Sequence, residues 1–77
     1  DYFKALAETR RADTELAYAR TAEARAAELV QARALSPQEL ERARADLTAA
    51  AEAVVAARAE VTRTEQELHH YGITARP

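Results

Sequence analysis

The sequence predicts an all-α protein, a two-helix antiparallel coiled-coil hairpin. Three observations lead there. Of the 48% hydrophobic residues most are alanine, beside 31% charged residues, a balance typical of long helices and coiled coils. The second half carries large apolar residues at a strict seven-residue spacing: Leu40, Leu47, Val54, Val61 and Leu68. A helix start signal, Ser36-Pro37-Gln38-Glu39, stands in mid-chain between two helix-forming stretches, where a single rod has no use for it.

The start of the second helix is signalled three times. Ser36 and Glu39 form a capping box, in which the Ser36 hydroxyl accepts from the Glu39 N–H and the Glu39 carboxylate reaches back to the Ser36 N–H. Pro37 occupies the first helical position, where a missing N–H costs nothing. Leu35 and Leu40 take the two positions of a hydrophobic staple. At the far end Gly72, the chain's single glycine, is expected to take the left-handed cap, with Ile73 packing back on Leu68. These signals predict helix 1 over about 2–33, a tip turn at 33–36, helix 2 over about 37–71, and a cap and exit at 72–77. At about 1.5 Å per residue the hairpin is about 50 Å long.

Calling the leucine and valine series a, the d positions of helix 2 are Ala43, Ala50, Ala57, Thr64 and Tyr71. Helix 1 has Tyr2, Thr9, Leu16, Glu23 and Val30 at a, and Ala5, Ala12, Ala19, Ala26 and Arg33 at d. Folding at 33–36 sets each a residue against a d residue of the other helix. Val30 meets Ala43, Ala26 meets Leu47, Ala19 meets Val54, Leu16 meets Ala57, Ala12 meets Val61 and Ala5 meets Leu68. Large faces small, so the helix axes approach to the low end of the usual 8–10 Å spacing. Glu23, opposite Ala50, is the irregular layer and is expected to be wet and loose. Arg33 and the acids Glu39 and Glu41 complement the helix dipoles.

Charge flanks the seam unevenly. Glu8, Glu15, Glu60 and Glu67 lie at g positions; Asp13, Arg20, Arg44, Arg58 and Glu65 lie at e, with Asp13 expected beside Arg58. Like charges along the g side weaken the hairpin slightly, unless a basic flank of a neighbouring hairpin docks there. Tyr2, Phe3 and Tyr71 are expected to plug the open end. No helix cap is read before Tyr2, and the chain is expected to be an excised part of something larger.

Several function classes are excluded on chemistry. There is no cysteine, no glycine-rich phosphate loop and no enclosed acid–base pair, so no catalytic residue is expected. No cofactor and no metal site is expected either. His69 and His70 are adjacent, and neighbours on a helix point about 100° apart, which suits a solvated last turn better than one shared ion. A net charge of −2 with arginines interleaved among acids lacks the basic stripe of a nucleic-acid-binding arm. No run of about twenty apolar residues is present to insert in a membrane.

At the tip, Arg25, Leu29 and Ser36 follow an Arg-x3-Leu-x6-Ser spacing. This resembles the hairpin tip of the periplasmic adaptor proteins, or membrane fusion proteins, of bacterial tripartite efflux pumps of the resistance–nodulation–division type. "DYFKALAE" is similar to their ascending helix, "ALSPQELERARADLTAAAEAVVAARAEV" to the start of their descending helix, and "ELHHYGI" to the exit toward the lipoyl domain. The Gly-Ile ending resembles the heavy-metal branch. The tip departs from many relatives in having "QARA" where they carry a glycine or another turn former.

The resemblance implies a non-enzymatic transport role in the periplasm, within a parent anchored at the inner membrane. It implies an outer-membrane channel as partner of the tip residues Arg25, Leu29 and Ser36, an inner-membrane transporter reached through other domains, and self-association into an adaptor ring. An adaptor of an ABC-type exporter or type I secretion system fits the same features. A generic structural coiled coil and a nucleic-acid-binding arm are the readings from other classes.

With only two helices in cross-section, little area is buried and stability is expected to be marginal. Thermal melting followed by circular dichroism should show a transition well below about 90 °C, the threshold of hyperstability; a melt above it contradicts the expectation.

Overall fold

A computed structural model describes residues 1–70. It is two long helices, α1 (Tyr2–Gln31) and α2 (Pro37–His70), packed against each other along their length in a rod of 59 × 18 × 13 Å. Cross-helix pairs run in opposite order along the two helices, Asp13 with Arg58 and Glu23 with Arg44, so the hairpin is antiparallel.

The core is the seam that the heptads define. Ala5, Ala12, Ala19 and Ala26, the d row of α1, are buried, as are Leu40 and Val54 from α2. Leu16, Val30, Leu47, Val61 and Leu68 are half-buried, the state expected of large side chains whose tips reach past a two-helix seam. Thr9 and Thr64 form a polar layer that the helices tolerate. Each hydroxyl donates to the carbonyl four residues earlier in its own helix, at 3.0 and 2.9 Å, so neither is left without a partner between the helices.

Arg33 is the seam position that leaves the pattern. It is exposed, with a φ of 60°, and belongs to the turn. α1 therefore ends at Gln31, short of residue 33, and the turn closes as a Schellman motif. The Arg33 N–H donates to the Val30 carbonyl at 2.9 Å and the Ala34 N–H to the Leu29 carbonyl at 2.8 Å. Arginine occupies the left-handed position that glycine usually fills, at a conformational cost of about 1 kcal/mol.

On the other side of the turn the Glu39 N–H donates to the Ser36 Oγ at 3.2 Å, as the capping box requires. The Glu39 carboxylate takes a different partner from the one expected: its Oε1 accepts from the Ser36 hydroxyl at 3.1 Å. Both functions of the Ser36 side chain are thus spent on one residue. Leu35 is half-buried and Leu40 buried, in keeping with the staple.

Two expectations at the open end change. Asp1 caps α1, its Oδ1 accepting from the Lys4 N–H at 2.9 Å, so the first helix does have a cap. Phe3 does not plug the end: its ring stands edge-on to Tyr2, 5.8 Å between centroids, and faces outward, while the Tyr2 hydroxyl reaches Glu65 at 3.5 Å. Tyr71, Gly72 and Ile73, and the cap assigned to them, lie outside the described residues.

Urea denaturation separates the two halves of the tip. Arg33→Gly should leave the hairpin as stable or stabilise it by up to about 0.5 kcal/mol, the relief at the left-handed position less the extra freedom of the unfolded chain. Ser36→Ala should destabilise it by about 1 kcal/mol. A loss of stability in Arg33→Gly contradicts the turn geometry.

Candidate functional site: the hairpin tip

The tip is built from the last two turns of α1, the Schellman turn and the first turn of α2. Arg25 and Leu29 stand at c and g, off the seam and one turn apart on the same surface of α1. Leu29 is 38% exposed, while its neighbour Val30 turns into the seam and is half-buried. Leu29 therefore has a double part. Its carbonyl anchors the turn through Ala34, and its side chain adds apolar surface beside a guanidinium. Arg25 borders a shallow groove on the outer face of α1 with Arg20, Thr21, Ala24 and Glu28.

Ser36 is exposed on the α2 side of the turn. Its hydroxyl is held by Glu39, so its position is fixed by the cap. The tip thus offers Arg25 and Leu29 as an adjacent pair and Ser36 as a separate, structurally committed point. Arg33, which sequence reading assigned to the seam, joins the exposed residues of the tip. Its departure was visible only as the one charged residue at the end of an alanine d row.

Along the shaft, electrostatics follows the flanks. Arg58 Nη2 meets Asp13 Oδ1 at 3.3 Å, the pair that the register predicts. Glu23 has a partner from the other helix. Its side chain is 25% exposed and pairs across the hairpin with Arg44 Nε at 3.5 Å, and Arg44 Nη1 holds Glu41 at 3.1 Å. An arginine from the e side thus neutralises the acid in the seam, though at this exposure the pair adds no more than about 1 kcal/mol. On the g side, Arg63 binds Glu60 and Glu67 along one face of α2. Its hydrogen bonds hold the Glu60 carboxyl below its ordinary range, the guanidinium charge acting in the same direction. Arg11 stands in the groove with Glu8, Glu15 and Glu60. The like-charge row is broken up by arginines one turn away at c positions.

Among the described residues no group of three or more His, Cys, Asp or Glu side chains is placed to hold a metal ion. Nor, among them, is any helix long and apolar enough to cross a membrane. His69 and His70 are exposed in the last turn of α2. No model of a protein family, no curated protein and no solved structure matches this chain.

Proposed function

We propose that this hairpin is the coiled-coil strut of a periplasmic adaptor in a bacterial tripartite efflux pump, with its tip docking on the helical hairpins of an outer-membrane channel. The observation that carries the reading is Arg25 and the partly exposed Leu29, one turn apart and off the a/d seam, at the tip of a 59 Å rod. Arginine is enriched at interface hot spots, and the partly exposed leucine one turn away adds apolar contact area beside it. The Arg-x3-Leu-x6-Ser spacing, similar to that of the adaptors, supports the same reading.

The role is mechanical and non-enzymatic. The rod sets a distance, and the rigid turn presents the docking residues at its end. Parts of the parent beyond this hairpin would reach an inner-membrane transporter in the periplasm, and copies would stand side by side around the channel mouth.

The test is binding of the hairpin to the channel with Leu29→Ser, Arg25→Asp and Ser36→Asp, helicity being followed by circular dichroism. Leu29→Ser and Arg25→Asp should each weaken binding at least about tenfold, equivalent to about 1.4 kcal/mol, with helicity kept. Ser36→Asp keeps the cap and reports whether the hydroxyl itself is read. Unchanged binding in both α1 variants contradicts tip docking.

A further inference from the structure

Tyr18 stands on the shaft, away from the tip, with 77% of its surface exposed and its hydroxyl bonded to nothing among the described residues. It borders a groove between the two helices on the g side, floored by Ala19, Ala49, Ala50 and Ala53. Glu15 and Asp46 stand on the rim. In the register that sets Ala19 against Val54, Asp46 is level with Ala27. The two rim residues therefore lie about 18 Å apart along the rod, at about 1.5 Å per residue. Beyond Glu15 the groove runs on past Ala56 and Ala57.

The two rim carboxylates are free. Neither side chain makes a hydrogen bond or an ion pair among the described residues, although Arg11 and Arg42 each stand four residues before them. The acids of the opposite flank are all engaged. Asp13 is paired with Arg58, Glu23 with Arg44 and Glu41 with Arg44, and Glu65 accepts from the Tyr2 hydroxyl. Glu60, farther along the g side, is held by Arg63. An apolar floor, an exposed ring and unneutralised negative charge thus coincide at one place on the shaft.

We infer that this groove is the docking site for an α-helix of another protein, one that carries a stripe of leucine-sized side chains edged by lysines or arginines about three turns apart. Inside the hairpin the alanine row of α1 is filled by the leucines and valines of α2. The alanine floor of the groove takes large apolar side chains for the same reason, since small residues let a third helix approach closely. Glu15 and Asp46 then each meet a basic side chain at the edge of that stripe. Tyr18 forms one wall, and its ring face is open to a cation. A second copy of this chain does not supply such a helix. Away from its two ends, the large apolar side chains that it exposes are Tyr18 and Val55 alone among the described residues, which make no stripe. The site goes beyond the proposed role and uses no tip residue.

The test needs no channel, so its failure is distinct from failure of tip docking. The probe is a synthetic three-heptad helix with leucine at a and d and lysine at e and g, the lysines keeping it from pairing with itself. Its binding to the chain is followed by fluorescence anisotropy of a labelled peptide at about 0.05 M salt, where charge is little screened. Glu15→Lys and Asp46→Lys should each weaken binding about fivefold, and Ala53→Gln, which fills the floor with neutral bulk, about tenfold. Glu52→Lys makes the same change of net charge at an exposed position off the groove and should stay within about twofold of wild type. Helicity by circular dichroism should be unchanged in all four. No binding to wild type, equal binding of a peptide with glutamate in place of lysine, or a loss in Glu52→Lys as large as in Glu15→Lys would each overturn the assignment. So would a wild-type dimer in sedimentation equilibrium that Ala53→Gln returns to the 8.5 kDa monomer, since a second copy would then be the occupant.

Discussion

Everything in this hairpin depends on how closely two helices approach along a row of alanines. Ala5, Ala12, Ala19 and Ala26 make one row of α1's seam positions almost free of side-chain bulk, the bulk on α1 being left to the a row with Leu16 and Val30. The larger residues of α2 fill the space left, and Leu40 and Val54 are buried though only two helices are present to cover them. The same row fixes axial register, because a shift by one heptad strands a leucine or valine against nothing at either end. Register in turn decides which charges meet. Asp13 finds Arg58, and Arg44 reaches Glu23. A polar seam residue can be kept because its partner helix brings a guanidinium within reach, and Thr9 and Thr64 can be kept because each bonds back to its own backbone.

The tip follows from the need to reverse direction within a few residues while keeping that register. α1 stops where Arg33 takes a left-handed conformation, and α2 starts where Ser36 caps it. Neither end frays into a long loop, so Leu29 and Arg25 are presented by helical backbone that the turn's own hydrogen bonds hold. A strut that must set a distance and offer a defined end gains from this construction. The physical content of the proposed adaptor role is that stiffness and that exposed pair, and the role needs no pocket or reactive group.

Much of this was legible in the sequence because hairpins of this kind are governed by local signals. The seven-residue spacing from Leu40 to Leu68 and the Ser36-Pro37-Gln38-Glu39 start announce α2, and the alanine d row of α1 marks its buried face. The Asp13–Arg58 pair followed from register alone. What escaped was set by side-chain reach and backbone conformation. Arg33 continues the heptad in spacing, yet the turn takes it, since a left-handed residue is needed at that point and no glycine is present there. Glu23 has no cation in its own layer, and Arg44 sits six residues out of layer with it, a gap that two long side chains close. The Asp1 cap is a local signal of residue type, an aspartate directly before the first helical residue. At the tip, the exposure of Leu29 was predictable from its g position, whereas the engagement of the Ser36 hydroxyl by the Glu39 carboxylate depends on a rotamer that spacing does not specify.

The close approach along the alanine row is tested most directly by placing one larger side chain in it. Urea denaturation of Ala19→Leu, with Ala17→Leu on the exposed face as the control, compares the same added volume inside and outside the seam. Overpacking at Ala19 should destabilise the hairpin by about 1–3 kcal/mol, and Ala17→Leu should lie within about 0.5 kcal/mol of wild type. An Ala19→Leu chain as stable as the control would show that the helices do not meet along this row.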